Sequence, residues 1–236
     1  KHNKLVTTTL TQLSIPKVNA GATGDIFLLA DGTYDHASRE PITKSVIVNA
    51  ANKGKAIIKG APIDLNSLCT FEGFDLQYKT TEQTVVNLRG GCIFQLNKTH
   101  FVNATTIRCD WLVIRSDNCT IKNNEIYNKV GLGKMVLVGS GSAIVKNTKI
   151  LNNHIHDHNG GTGNGGETVR FGSSEAAKAE FNTEFGGNLV ENTDTSDDEL
   201  MTIKSSANNL HDNTFKNCKG SPTFRHGGGN KYNNNI

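Results

Sequence analysis

The sequence predicts an all-β fold, a right-handed single-stranded parallel β-helix whose coils contain about 25 residues each. Three observations support this prediction. The chain of 236 residues has 28 asparagines and 24 glycines. Asparagine recurs beside an apolar residue at a regular spacing, and the segments between these positions are short and rich in β-branched residues. Such a pattern favours a solenoid of short strands joined by polar turns over a disordered chain.

The asparagine repeat occurs in seven segments, FEGFDLQ, KTHFVNA, NNEIYNK, NNHIHDH, GNLVENT, DNTFKNC and NNNI. Their central apolar residues follow one another at steps of about 21 to 34 residues, which is the range of solenoid repeats. These central residues are Phe74, Phe101, Ile126, Ile155, Leu189, Phe215 and Ile236. We therefore predict one coil per repeat, with the asparagines stacked at the coil corners as hydrogen-bonded ladders.

The strands are predicted in the β-branched stretches SVIVNA, KAIIKG, TVVNL, DWLVIR, KMVLVG and SAIVKN, which show little helical periodicity. A leucine-rich repeat is excluded because the LxxLxL frame is absent. The longest step, from Ile155 to Leu189, contains SSEAAKAEFNTEFGG. We predict a lateral loop or short helix there, because insertions in solenoids commonly line a binding groove.

Charge and composition exclude several classes of protein. The formal net charge is +3, too small for the strongly basic surface of a nucleic-acid-binding protein. No apolar run approaches the roughly 20 residues of a membrane span. The five cysteines are odd in number and form no CxxC pair, so we interpret them as core residues. We expect neither nucleic acid nor a membrane as a partner.

We predict a single parallel β-helix domain over residues 1–236. The last repeat, NNNI, has no amphipathic helix after it to cover the final coil. Because an uncovered coil exposes unpaired strand edges, we expect this domain to be the N-terminal part of a longer β-helix chain, or to pair with a second fragment that continues it.

Several segments resemble polysaccharide lyase family 6, the family of alginate lyases and chondroitinase B. GATGDIFLLADGTYDHA and PITKSVIVNAANKGKAIIKG resemble the family's first coils. NGGETVRFGSS, DDELMTIKSSANN and SPTFRHG resemble its active-site segments, in the family's order. The resemblance implies a secreted or periplasmic bacterial lyase that cleaves alginate, an acidic polysaccharide of 4-linked uronates, by β-elimination. Dermatan sulfate or chondroitin is the alternative substrate.

β-Elimination removes the C5 proton of the uronate, expels the O4 oxygen and accumulates negative charge on the C5 carboxylate. The resemblance implies that Lys204 is the base and that Arg225 assists the leaving group. A lysine acts as a base only when neutral, and a cationic neighbour lowers the pKa of a lysine. Arg225 follows Lys204 by close to one coil, so we expect it to be that neighbour.

The resemblance also implies a Ca²⁺ ion, held by Asn164, Asp197 and Glu199, that neutralises the C5 carboxylate. Oxygen ligands suit this hard cation. The first carboxylate position of the family is usually glutamate, whereas this chain has Asp197. Glu199 and Lys204 are an odd number of residues apart and would face opposite sides of an unbroken strand, so we predict a bend between them.

Two further residues are candidates for binding the substrate. Arg170, in ETVRFG, can pair with a carboxylate through two parallel hydrogen bonds. His226 lies beside Arg225 and can contact carboxylates or hydroxyls of the sugar.

Three other interpretations are weaker. HIHDH would place His154, His156 and His158 on one strand face, but the repeat places no acidic or cysteine partner beside them, so we do not predict a metal there. A pectin-type glycoside hydrolase could account for NTD, DD and HG, but NTD and DD are too close in sequence to lie on successive coils as acid and base require. A non-catalytic carbohydrate-binding β-helix is disfavoured, because it would need no lysine and arginine in register.

Overall fold

The computed structural model describes residues 7–36, 39–60, 62–78, 84–101, 108–195 and 198–236. Within these ranges the chain forms one short helix, α1 (Ile15–Asn19), and 25 β-strands in three parallel sheets. Successive strands of a coil belong to different sheets, and each strand pairs with its counterpart in the next coil. The predicted parallel β-helix is confirmed.

Sheet A has ten strands, in spatial order β1 (Thr7–Leu10), β2 (Ile26–Leu29), β4 (Ile47–Ala50), β7 (Thr70–Glu72), β10 (Ile93–Gln95), β13 (Thr120–Lys122), β16 (Lys149–Leu151), β19 (Glu184–Gly186), β22 (Asn209–His211) and β25 (Lys231–Asn233). Sheet B has eight strands, β3 (Gly32–His36), β5 (Ala56–Gly60), β8 (Asp75–Tyr78), β11 (Lys98–Phe101), β14 (Glu125–Val130), β17 (His154–Asn159), β20 (Leu189–Asp194) and β23 (Thr214–Cys218). Sheet C has seven strands, β6 (Ile63–Leu65), β9 (Thr84–Leu88), β12 (Asp110–Ile114), β15 (Val136–Val138), β18 (Val169–Phe171), β21 (Glu199–Ile203) and β24 (Ser221–Phe224).

The core is a column of apolar side chains enclosed by the three sheets. Ile126 and Ile155 are fully buried, as the repeat predicts. In β20 the inward residue is Val190, which pairs with Ile155, and Leu189 pairs with His154 instead. The choice of Leu189 as the central residue is therefore wrong by one position. A step of one residue moves a side chain to the other face of a strand.

The predicted asparagine ladder runs along the corner between sheets A and B. Each side chain except the last donates a hydrogen bond to the asparagine oxygen of the next coil, at 2.8 to 3.0 Å between Nδ2 and Oδ1. The oxygen also accepts the backbone N–H of the asparagine one coil before it. The members of this ladder are Asn124, Asn153, Asn188, Asn213 and Asn235.

The predicted insertion is a loop, residues 172–183, between β18 and β19. It contains turns and no helix. Four cysteines, Cys69, Cys92, Cys109 and Cys119, are buried as predicted, whereas Cys218 is partly exposed. No helix in the described part of the chain is long and apolar enough to span a membrane.

Candidate active site

Lys204 and Arg225 occupy the same position in two successive coils, directly after the strands of sheet C. The N–H of Lys204 donates to the carbonyl of Phe171 at 2.8 Å, and the N–H of Arg225 donates to the carbonyl of Ile203 at 2.9 Å. Their backbones therefore lie about 4.8 Å apart, the spacing of neighbouring strands. Gly172 follows Phe171 and occupies this position in the preceding coil.

Glu199, at the start of β21, lies next to Arg225. Its Oε2 is 3.5 Å from Arg225 Nη1, and it accepts a hydrogen bond from Thr202 Oγ1 at 3.0 Å. The pairing register between β21 and β24 shifts between Glu199 and Met201, which is a β-bulge. The bulge supplies the predicted bend between Glu199 and Lys204.

A buried ion pair lies beneath these groups. Lys134 Nζ is 3.1 Å from Glu167 Oε2, and the two side chains are 0% and 4% exposed. Burial lowers the pKa of Lys134. Burial is the largest single influence and would raise the pKa of Glu167, but the charge of Lys134, hydrogen bonds and the charge of Arg170 together hold this pKa below its ordinary value. Thr202 Oγ1 lies 3.4 Å from Glu167 Oε1 and so links the pair to Glu199.

Arg170 lies in β18 and pairs in register with Thr202. Its Nε is buried and has no hydrogen-bond acceptor among the described residues. The guanidinium charge also helps lower the pKa of Glu167. The residue is partly exposed, and a guanidinium can pair with a carboxylate through two parallel hydrogen bonds.

The 172–183 loop contacts the proposed base directly. Lys204 Nζ donates to Ser174 Oγ at 3.3 Å. Next to Ser174, the pKa of Glu175 is lowered, first by a hydrogen bond with Ser173 and further by the nearby charges of Arg170 and Lys204. The insertion therefore forms one wall beside Lys204. His226, on the other side of Arg225 in sequence, is partly exposed.

The family model described as Chondroitinase B matches residues 7–236. The chain belongs to the chondroitinase B family. This confirms the resemblance to polysaccharide lyase family 6. Comparison with curated proteins gives no match.

Several solved structures of polysaccharide lyases share the fold of this family member. A mannuronic acid specific family 6 lyase from human gut microbiota superposes with a TM-score of 0.80 at 20% identity, over 98% of this chain and 59% of that one. A PL6 alginate lyase in complex with a trisaccharide gives a TM-score of 0.83 at 21% identity, over 100% of this chain and 55% of that one. The alginate lyase AlyF-OU02, in complex with G6, superposes with a TM-score of 0.82 at 21% identity, over 98% of this chain and 54% of that one. The chain spans a little over half the length of these structures.

The assignment of Asn164, Asp197 and Glu199 as calcium ligands in this chondroitinase B family member stays a prediction. Asp197 lies outside the described residues. Asn164 is exposed in the turn that precedes β18, and Glu199 is held by Thr202 and Arg225.

Sequence reasoning missed the buried pair beneath the site. Glu167 lies within NGGETVRFGSS, so the motif itself could have drawn attention to it. Lys134 lies in GLGK, which carries no signal for this role. Its pairing with Glu167 depends on the length of one coil, and coil length varies along the chain.

The prediction that His154, His156 and His158 share one strand face is wrong. Asp157 has a positive φ of 53°, and this left-handed residue turns His158 into the interior. Burial lowers the pKa of His158 to about 3, and its Nδ1 lies 3.0 Å from Thr168 Oγ1. His154 and His156 remain on the outer face, and the repeat does place a carboxylate, Glu125, beside them.

Proposed function

We propose that the protein is a polysaccharide lyase that cleaves 4-linked uronate polysaccharides by β-elimination, with alginate as the substrate. The observation that carries this proposal is the stacking of Lys204 and Arg225 in successive coils, beside Glu199, in a member of the chondroitinase B family. The descriptions of the solved structures, which name alginate and mannuronic acid, support alginate. We further propose that the enzyme acts outside the cell or in the periplasm, where such a polymer is encountered.

In this proposal Lys204, as the neutral amine, takes the proton from C5 of the uronate. The electrons of the C5–H bond form the C4=C5 double bond, and the C4–O4 bond breaks. Arg225 is a poor proton donor because its guanidinium does not deprotonate near neutral pH. It stabilises the negative charge that develops on O4, and water supplies the proton to the leaving oxygen.

The C5 carboxylate gains negative charge during the reaction and must be neutralised. Arg170 is the candidate for this role, because the residue is partly exposed and a guanidinium pairs well with a carboxylate. Asn164, Asp197 and Glu199 offer only oxygen donors, which fits Ca²⁺. When bound, calcium would supply a fixed positive charge at this carboxylate.

The reaction class is tested by mixing the protein with alginate and following ultraviolet absorbance, because elimination produces an unsaturated uronate. Rising absorbance is the expected result. New reducing ends without absorbance would instead identify a hydrolase, and neither signal would favour a carbohydrate-binding module. Dermatan sulfate belongs in the same experiment, because the family model that matches the chain is described as Chondroitinase B.

The role of Lys204 is tested by two substitutions. Lys204→Ala should lower turnover by about 10² to 10⁴, the usual loss when a positioned acid or base is removed. Lys204→Arg should be nearly as damaging, because arginine keeps its charge. Lys219→Ala is the control, since Lys219 is an exposed lysine that follows β23 of sheet B. Near wild-type turnover in both Lys204 variants would refute the mechanism.

A further inference from the structure

The geometry points to a binding site for a divalent transition-metal ion of the zinc class on the outer face of sheet B, formed by Glu125, His154 and His156. One ligand atom from each residue lies within 4.8 Å of the others. The proposed catalytic groups follow the strands of sheet C, so this site lies on a different face of the solenoid. It goes beyond the proposed lyase activity and does not depend on it.

The backbone of three neighbouring coils brings the donors together. His154 and His156 alternate along β17 and so point to the same face. Glu125, in β14, pairs in register with His154, and Glu191, in β20, pairs in register with His156. Because hydrogen-bonded strands hold all four residues, their positions are fixed before any ion binds.

His156 is oriented as a metal ligand would be. Its Nδ1 lies 2.8 Å from Asp157 Oδ2, so in the neutral ring an Nδ1–H can donate to this carboxylate and leave the Nε2 lone pair for a metal ion. Nε2 is buried, has no hydrogen-bond partner among the described residues and lies 3.5 Å from Glu125 Oε1. Histidines that bind metals almost always donate their other N–H to a carboxylate or carbonyl in this way.

Asp157 is the exception in a column of asparagines. Asn128, Asn192 and Asn217 lie at the equivalent positions of neighbouring coils, and all four residues have positive φ values of 52 to 60°. Asparagine meets the backbone requirement equally well. The carboxylate of Asp157 adds a charged acceptor for the His156 N–H, which an amide does not supply.

Two carboxylates lie beside the histidines. Lys98 Nζ forms an ion pair with Glu125 Oε2 at 3.0 Å, and Glu125 Oε1 lies on the side of His156. Glu191 Oε1 lies 2.8 Å from His154 Nε2 and provides a further oxygen at the edge of the site.

Two imidazoles with a carboxylate are typical zinc ligands, whereas calcium takes oxygen ligands only. An ion held by these residues would connect β14 and β17 across the coil boundary. Because it binds the folded chain in preference to the unfolded one, it would raise the temperature of unfolding, by an amount that grows with the logarithm of its concentration over its dissociation constant.

His211 provides a matched control within the same chain. Its Nδ1 lies 2.8 Å from Asp212 Oδ2, and its Nε2 lies 3.3 Å from Glu184 Oε1 in the preceding coil. His211 therefore has both an aspartate partner and a glutamate across the coil. Among the described residues, however, these three do not form a group with metal-binding geometry. The second histidine is what distinguishes the Glu125 site.

The test uses protein without a polyhistidine tag, stripped with a chelator and titrated with ZnCl₂ by calorimetry and thermal unfolding. We expect one zinc ion per chain and a higher unfolding temperature. His156→Ala and Glu125→Gln should weaken binding at least tenfold, and Asp157→Asn by about 10- to 100-fold, as is usual for the residue behind a ligand. His211→Ala should bind zinc as the wild type does.

Two results would overturn the proposal. One is the absence of zinc binding by the wild-type protein. The other is equal affinity in the wild type, Glu125→Gln and Asp157→Asn, which would place the ion elsewhere, for example at the partly exposed Cys218. Glu125→Gln keeps the size of the side chain and Asp157→Asn restores the asparagine column, so these two variants decide the question even if His156→Ala fails to fold.

Discussion

Substitution of Asn153 by alanine should destabilise the solenoid strongly. Asn153 is 2% exposed. Its Nδ2 donates to the carbonyl of Ile121 and to Asn188 Oδ1, and its Oδ1 accepts from both the N–H and the Nδ2 of Asn124. Alanine removes these four hydrogen bonds and leaves buried partners unsatisfied. At about 1 kcal/mol for each bond the loss is about 4 kcal/mol, a large part of the roughly 5–15 kcal/mol that stabilises a typical protein.

For a chain of this size, 1 kcal/mol corresponds to about 2–4 °C, so the unfolding midpoint should fall by about 8–16 °C. The loss is measured by thermal and denaturant unfolding followed by circular dichroism. Asn52→Ala is the control, because Asn52 is exposed and its side chain bonds, among the described residues, to the exposed Asp31. This change should alter stability by less than about 0.5 kcal/mol. If Asn153→Ala were no more damaging than Asn52→Ala, the ladder would not be a source of stability.

Three further predictions concern the candidate active site. Arg225→Lys should retain partial turnover if its charge stabilises O4, and loss of activity equal to that of Arg225→Ala would show that the planar guanidinium is required. Chelation should lower turnover, and added Ca²⁺ should restore it whereas Zn²⁺ should not. Glu199→Ala should likewise lower turnover with little change in the unfolding midpoint. Unchanged activity after chelation would exclude the calcium assignment. Glu167→Gln should cost about 3–5 kcal/mol, because it leaves Lys134 buried without a counter-charge. The pKa of Glu167 is lower in the folded protein, so its ionised form stabilises the fold above the ordinary glutamate pKa of about 4.3, and this stabilisation is lost as the pH falls through the pKa of the folded state. Glu167→Gln should therefore flatten the acid side of the plot of unfolding free energy against pH. A parallel acid profile in this variant would contradict that reasoning.

The sequence alone determined the architecture, because a solenoid repeats one local solution. Each coil must place an apolar residue inward and satisfy the backbone at its corner, and both needs leave a periodic mark in the sequence. The asparagines that carry the ladder, such as Asn153, are therefore evident from the repeat itself. The pairing of Lys204 with Arg225 was also predictable, since their spacing is close to one coil.

Only the tertiary structure decided which residues meet where the coils depart from regularity. The bulge after Glu199 and the left-handed Asp157 change the face on which later side chains lie, and a strict alternation cannot predict them. His158 therefore lies in the core, while His154 and His156 lie beside Glu125. Contacts between coils depend on the length of each coil, and this length varies with loops that leave no periodic signal in the sequence.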